Sequence, residues 1–174
     1  MRVALLTNEY PPHVYGGAGV HVEYLSRELA RLDGGAHHVD VLCFGEQREE
    51  HGNLRVRGIA PEVKLEAQDP RHARLLDALV RDLAMVGAVD APDIVHCHTW
   101  YAHLAGCLAR PLTGARLVLT THSLEPHRPW KVEQLGTAYH ATTWIERTAY
   151  QNADGVIAVS EAMKEDVQSL YGVA

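Results

Sequence analysis

The stretch that decides the fold is residues 3–19, which read V-A-L-L-T-N-E-Y-P-P-H-V-Y-G-G-A-G. Its first part, Val3–Thr7, is a short run of apolar and β-branched residues and predicts a buried strand. Helical spacing of apolar residues begins at Val20, directly after a loop that contains two prolines and three glycines. A strand, a glycine-containing loop and a helix in this order predict the beginning of a parallel α/β sheet.

The same alternation of strand and helix patterns continues along the chain. Six β-rich runs are predicted as strands, namely Val3–Thr7, Val39–Phe44, Leu54–Ile59, Asp93–His98, Arg116–Thr121 and Gly155–Ser160. We therefore expect a Rossmann-like α/β fold, a three-layer sandwich with a doubly wound, mostly parallel sheet of about six strands. The expected strand order is 3-2-1-4-5-6, and ligands in such folds bind at the carboxyl ends of the strands where that order reverses.

The sequence also predicts two loops and one helix outside these strands. Gly45–Asn53 is polar and charged and is predicted as a surface loop. Glu125–Trp130 contains two prolines and is predicted as a loop that leaves the fifth strand. Glu161–Tyr171 is predicted as a helix with Ser160 as its N-cap, because its apolar residues share one face.

Composition and charge exclude several classes of partner. The chain has 174 residues and a formal net charge of −6, and its basic residues are scattered, which argues against nucleic acid. The first residues lack the pattern of a secretory leader, and no apolar run approaches the roughly 20 residues that cross a membrane. The three cysteines form no C-x-x-C pair and are expected to be reduced. We expect one soluble, cytoplasmic domain over residues 1–174.

Three glycines, Gly16, Gly17 and Gly19, lead into the first long helix. Glycine permits a positive φ and a close approach of the backbone to a ligand, and the N–H groups at the start of a helix attract anions. The loop is therefore interpreted as a phosphate or sugar cradle, although a loop that only packs the helix against the sheet is an equally open interpretation. The spacing G-G-x-G differs from G-x-G-x-x-G, so we do not expect a nicotinamide dinucleotide.

Two histidines end the fourth predicted strand, in the segment Pro92–Trp100. Because side chains alternate along a strand, His96 and His98 lie on one face and Cys97 on the other. His98 is nearer the carboxyl edge where ligands bind, whereas His96 is expected to be a hydrogen-bonded group within the sheet. The H-x-H pair offers two metal ligands, but no third ligand stands at a supporting spacing, so no metal site is expected.

The segment Thr120–Lys131 follows the fifth predicted strand. It contains hydroxyls, histidines, Arg128 and an aromatic ring, which are groups that bind sugars and phosphates. A capping role for its hydroxyls and a lid role for the loop are the alternatives. The glycine loop, the histidine strand and this segment all leave the same edge of the predicted sheet, and this shared location favours one common site.

The chain combines four motifs. They are Y-P-P-x-x-x-G-G-x-G at Tyr10–Gly19, P-D-I-V-H-x-H-x-W at Pro92–Trp100, T-H-S-L-E-P-x-R-P-W-K at Thr121–Lys131, and A-D-G-V-I-A-V-S-x-x-M at Ala153–Met163. Together they resemble the N-terminal domain of bacterial glycogen synthases, which are retaining glycosyltransferases of the type B fold with two facing Rossmann-like domains. The third motif points more narrowly to glycogen synthases and the related α-maltose-1-phosphate synthases. The resemblance covers essentially the whole chain.

The resemblance implies an activity and a set of partners. The expected reaction transfers α-glucose from ADP-glucose or UDP-glucose to an α-1,4-glucan or to glucose 1-phosphate in glycogen synthesis, with retention of configuration and without a cofactor or metal. Residues 1–174 would be the acceptor-side domain. The partner that binds the sugar nucleotide would be the protein's own C-terminal domain, outside this chain, so the isolated domain is expected to be inactive.

The resemblance also implies roles for individual residues. His98 would be the catalytic residue beside the transferred glucose, where its backbone carbonyl or its ring stabilises the developing positive charge. Gly16 and Gly17 would approach the donor phosphates or the acceptor. The full set of candidate substrate-binding residues is Tyr15, Gly16, Gly17, Gly19, Thr99, His122, Arg128 and Lys131.

One position departs from the family pattern. Glycogen and starch synthases carry a lysine two positions before the glycine pair, whereas this chain has Val14 there and Tyr15 next. The contact that this lysine makes to phosphate or acceptor must then come from elsewhere or be absent. The departure argues against a long glucan as acceptor, and a smaller phosphorylated acceptor, met by Arg128 or Lys131, is the alternative hypothesis.

Two other functions fit the same residues. Another transferase of the type B fold, of the mannosyl, sucrose or trehalose type, would share the glycine loop and His98 but not necessarily Arg128–Lys131. A stand-alone module that binds a sugar or a nucleotide would need no second domain.

Overall fold

The computed structural model describes residues 1–173 and contains seven strands and six α-helices. The strands are β1 Arg2–Thr7, β2 His38–Phe44, β3 Arg48–His51, β4 Leu54–Ile59, β5 Ile94–His98, β6 Arg116–Thr121 and β7 Gly155–Ala158. The helices are α1 Gly17–Gly35, α2 Ala73–Ala88, α3 His103–Thr113, α4 Lys131–Leu135, α5 Ala138–Asn152 and α6 Glu161–Tyr171. Three short 3₁₀ turns span Pro70–His72, Trp100–Ala102 and Glu125–His127.

The seven strands form one sheet in the order β3-β4-β2-β1-β5-β6-β7. Every neighbouring pair is parallel except β3 with β4. Without the edge strand β3, this order is the expected 3-2-1-4-5-6. The doubly wound, mostly parallel topology is therefore confirmed.

The edge strand β3 shows that the prediction of a surface loop over Gly45–Asn53 was wrong. All residues of Arg48–His51 are exposed, and an antiparallel edge strand needs no apolar face, so the periodicity that marks buried strands is absent. The N–H of Gly58 donates to the carbonyl of Gln47 at 2.7 Å and ties the turn to β4. Gly58 has to be glycine, because an added Cβ would lie 2.4 Å from the backbone nitrogen of Gln47.

Helices cover both faces of the sheet. On one face α1 packs against residues such as Leu5 and Val41, and on the other α2, α3, α5 and α6 pack around Leu6 and Leu119. Leu5 and Leu6 are neighbours on β1, so their opposite directions follow the two-residue period of a strand. The three-layer sandwich is thus confirmed. None of the helices within residues 1–173 has the length and apolar character needed to cross a membrane.

Two buried carboxylates anchor the loop that follows β6. Glu146 of α5 accepts hydrogen bonds from the backbone N–H of Glu125, at 3.0 and 3.2 Å, and from the hydroxyl of Tyr171 in α6. The carboxylate of Glu125 in turn accepts from the ammonium group of Lys131 at 2.7 Å. These contacts tie the loop to α5 and α6, and they set the position of the segment that carries Arg128.

We expect Glu146→Gln to remove a pH dependence from the stability of the fold. Burial raises the pKa of Glu146 from its usual 4.5 to about 7, so between these values the native protein keeps a proton that the unfolded chain releases. This raised pKa stabilises the fold below pH 4.5, and the stabilisation is lost as the pH rises to 7. The free energy of unfolding of the wild type minus that of the variant should therefore fall by about 1–3 kcal/mol between pH 4.5 and 7.5.

Urea denaturation at both pH values measures this difference. Glu165→Gln is the matched control, because Glu165 lies exposed on α6 and has no salt bridge within the described residues. The same pH dependence for both variants would contradict the expected role of Glu146.

Candidate functional site

The loops that follow β1, β5 and β6 meet at one edge of the sheet. These three strands are neighbours and parallel, and His98 at the end of β5 lies opposite Thr120 of β6. The hydroxyl of Thr99 donates a hydrogen bond to Oδ1 of Asn8 at 2.8 Å, which joins the loops after β5 and β1 directly. The structure therefore brings together the three segments that the sequence singled out.

An internal carboxylate closes the glycine loop. One oxygen of Glu9 accepts hydrogen bonds from the backbone N–H groups of Tyr15 and Gly16, each at 2.9 Å, just before α1 begins. None of Gly16, Gly17 and Gly19 adopts the positive φ that glycine permits. Gly19 serves packing, because an added Cβ would lie 2.9 Å from Cβ of Glu9, whereas Gly16 and Gly17 face open space.

Two adjoining cavities open at this edge. The smaller cavity, of about 290 Å³, is lined by residues that include Gly16, Gly17, Thr99, His122 and Ser123. The larger cavity, of about 720 Å³, is lined by residues that include Tyr15, Phe44, Arg74, Arg81 and Lys131. Both cavities share Asn8, Glu9, Tyr101 and Arg128. Of the candidate substrate-binding residues, all except Gly19 line one of the two cavities, and His98 lines neither.

Thr99 has a strained backbone at the centre of the site. Its φ of 67° and ψ of 158° lie in a region that is almost restricted to glycine, and such a conformation costs about 1–3 kcal/mol. The chain turns here from β5 into the 3₁₀ turn that begins at Trp100. Strained residues cluster at functional sites, so this conformation is a second indication that the edge carries function.

Three histidines, His21, His98 and His122, form a cluster beside the smaller cavity. Nδ1 of the fully buried His98 lies 3.1 Å from Nε2 of His122. The ring centroid of His21 lies 5.0 Å from that of His122 and 5.6 Å from that of His98. The ring of His96 lies next to that of His98, with the centroids 4.4 Å apart and the planes tilted by 31°. Its Nε2 lies 2.7 Å from the hydroxyl of Thr120, which confirms its expected role as a hydrogen-bonded group within the sheet.

Burial keeps two of these imidazoles neutral. It lowers the pKa of His98 well below its usual value and that of His122 to about 4, and neighbouring histidines add to both shifts. At pH 7 both rings are therefore uncharged, and each has one donor and one acceptor nitrogen. Either ring can bind a polar group or a metal ion without first losing a proton.

The cluster has the composition of a metal-ligand set. One ring nitrogen from each of His21, His98 and His122 lies within 4.8 Å of the other two. Only His98 of the H-x-H pair belongs to this set, and the structure adds His122 from the loop after β6 and His21 from α1. His21 carries no signal in the sequence, because no spacing relates the second turn of α1 to the end of β5.

Four lysine or arginine side chains line the larger cavity, and two of them are unpaired. Lys131 is bound to the buried Glu125 at 2.7 Å, and Arg81 is bound to a carboxylate of its own helix at 2.9 Å. By contrast, Arg74 and Arg128 form no salt bridge with any residue of the described chain. The cavity therefore carries two guanidinium groups without a salt-bridge partner, whereas the carboxylate of Glu9, which also lines it, is bound by backbone N–H groups.

Both guanidinium groups line the larger cavity together with Tyr101. Tyr101 and Arg128 also line the smaller cavity. Arg74 was not among the candidate residues. The available signal is its seven-residue spacing from Arg81, which places both side chains on one face of α2.

Known proteins are similar in sequence to this chain over nearly its whole length. The family model described as Glycosyltransferase Family 4 matches residues 15–174. Alpha-maltose-1-phosphate synthase from Mycolicibacterium smegmatis is 47% identical, over 98% of this chain and 41% of that protein. Glycogen synthase from Mycobacterium tuberculosis is 31% identical, over 99% of this chain and 45% of that protein. The chain therefore spans less than half the length of these curated relatives.

Solved structures share the fold. Sucrose-phosphate synthase from Thermosynechococcus elongatus aligns with a TM-score of 0.66 and 17% identity, over 98% of this chain and 45% of that chain. The catalytic domain of Starch Synthase IV from Arabidopsis thaliana, bound to ADP and acarbose, aligns with a TM-score of 0.57 and 15% identity, over 88% of this chain and 44% of that chain. At these identities the likeness concerns the Rossmann-like fold alone. The match to the family model and the relatives 47–49% identical show that the chain belongs to glycosyltransferase family 4.

Proposed function

We propose that this chain is the N-terminal, acceptor-side domain of a retaining glucosyltransferase that transfers α-glucose from ADP-glucose or UDP-glucose to glucose 1-phosphate. The relatives 47–49% identical over 98% of the chain are named as α-maltose-1-phosphate synthases, which supports this product. The donor nucleotide would be bound by the protein's own C-terminal domain, outside this chain. The isolated chain should therefore be inactive.

The choice of acceptor depends on the two unpaired guanidinium groups in the larger cavity. Guanidinium groups bind phosphate through paired, charge-assisted hydrogen bonds, and a phosphate monoester carries nearly two negative charges at neutral pH. One such group would compensate both Arg74 and Arg128. A neutral α-glucan would leave both guanidinium groups without a salt-bridge partner, so their presence favours glucose 1-phosphate over a glucan.

The two cavities suggest how this acceptor would lie. With its phosphate between Arg74 and Arg128, the glucose ring would pass Tyr101 and enter the smaller cavity. Its reacting hydroxyl would then lie near Gly16, Gly17 and His122. Lys131, whose charge is already compensated by Glu125, would hold the loop in place rather than bind the phosphate.

In this arrangement the ring of His98 would contact the His122 ring and would not itself contact the substrate. Its ring is fully buried and bonded to His122, so the groups that remain to face the transferred glucose are its backbone carbonyl and the His122 ring. Lone pairs on these groups would stabilise the positive charge that develops on the sugar in the transition state. No general base is required for such a transfer.

Replacing His98 tests this role in the longer protein that contains the chain. We expect His98→Ala to lower kcat by at least tenfold, because the variant keeps the backbone carbonyl but loses the buried ring that positions the His122 ring. Circular dichroism and thermal unfolding check that the fold persists. His140→Ala, which removes an exposed histidine from α5, should keep the wild-type turnover. Near-normal turnover of the His98 variant would show that the assignment is wrong.

The reaction itself is tested with the longer protein, both sugar nucleotides, and either glucose 1-phosphate or a maltooligosaccharide as acceptor. We expect maltose 1-phosphate to form with a kcat/KM at least tenfold higher than that for glucan extension. Phosphorus NMR identifies the product. No transfer with any donor and acceptor would contradict the proposal, and glucan extension alone would replace it with a glycogen synthase reaction.

Arginine variants then test the phosphate contacts in the active enzyme. Arg74→Ala and Arg128→Ala should each raise the KM for glucose 1-phosphate at least tenfold, because each loses a charge-assisted contact of about 1.5–3 kcal/mol. The KM for the sugar nucleotide should change little. Arg31→Ala is the control, since Arg31 pairs with Glu28 on the exposed face of α1. An unchanged KM in both variants would place the phosphate elsewhere.

A further inference from the structure

We propose that His21, His98 and His122 form a binding site for a divalent transition-metal ion of the zinc class. The three imidazoles come from three separate elements, namely α1, the end of β5 and the loop after β6. One ring nitrogen of each lies within 4.8 Å of the other two. Three imidazoles around one point are an established ligand set for Zn²⁺. Bonds of about 2 Å in a tetrahedral set place the nitrogens about 3.3 Å apart, so the rings have to move closer together when an ion binds.

A hydrogen bond alone explains only part of this cluster. The Nδ1 of His98 and the Nε2 of His122, which lie 3.1 Å apart, can share one proton. That contact does not involve the exposed His21, whose ring lies edge-to-face against His122 with the centroids 5.0 Å apart. A shared ligand would account for all three rings.

The state and access of the rings suit a metal ion. His98 and His122 are held neutral by burial, and the neutral imidazole is the form that binds metals. His122 lines the smaller cavity and His21 is exposed, so an ion has a path from solvent. An ion with these three ligands would keep a fourth position open toward the cavity, as a mononuclear zinc site with three protein ligands does.

The ligand types also define the class of ion. The set contains nitrogen donors and no carboxylate, whereas Mg²⁺ and Ca²⁺ require oxygen ligands. Zn²⁺, Co²⁺ and Ni²⁺ are therefore the expected ions. A bound ion would take the nitrogens of His98 and His122 beside the proposed glucose site, so it should block transfer. The claim of binding itself does not depend on the proposed reaction.

Titration of the tag-free chain with Co²⁺ and Zn²⁺ tests the site. We expect one ion per chain, with a Co²⁺ absorption spectrum typical of nitrogen ligands and competition by Zn²⁺ in calorimetry. His21→Ala and His122→Ala should each weaken binding at least tenfold. His21 is exposed, so its variant keeps the proposal testable even where a buried substitution disturbs the fold. His140→Ala is the control and should bind as the wild type does.

Three results would overturn the proposal. The first is no binding by the wild-type chain at millimolar Co²⁺. The second is binding that neither His21→Ala nor His122→Ala weakens. The third is a sulfur-to-cobalt charge-transfer band, which would assign the ion to the free cysteines Cys43, Cys97 and Cys107 instead.

Discussion

The position of β1 between β2 and β5 is the constraint on which the rest of the structure depends. The chain order reverses at this strand, so a crevice opens at the carboxyl ends of the parallel strands. Asn8, Thr99 and His122 each stand just beyond β1, β5 or β6. The hydrogen bond between Thr99 and Asn8 joins two of these loops, and the strained backbone of Thr99 lies between β5 and the 3₁₀ turn Trp100–Ala102.

The site has two chemically different parts. The imidazoles of His98 and His122 are neutral because they are buried, and they belong to the smaller cavity or the layer behind it. Arg74 and Arg128 remain charged and unpaired, and they face the larger cavity. Arg128 and Tyr101 line both cavities, so a single ligand can reach from one to the other. Such a ligand needs an anionic end and a neutral, hydrogen-bonding end, as a sugar phosphate has.

The parallel core was predictable from sequence, because buried strands such as Val3–Thr7 carry continuous apolar runs and crossover rules restrict their order. Strand β3 was not predictable from sequence, because an exposed edge strand has no apolar face. Glycine permits a positive φ in the loop before α1, but this loop closes on the carboxylate of Glu9 without one. His21 and Arg74 were missed because their neighbours come from distant parts of the chain.

The central claim is that this edge of the sheet binds a phosphorylated sugar between two arginines. The most direct measurement is an NMR titration of the isotope-labelled chain with α-glucose 1-phosphate, compared with glucose at equal concentration. The account predicts saturable shifts at Arg74, Tyr101 and Arg128 with the phosphate ester, and little response to glucose. Equal responses to both sugars, or shifts confined to other parts of the chain, would contradict it.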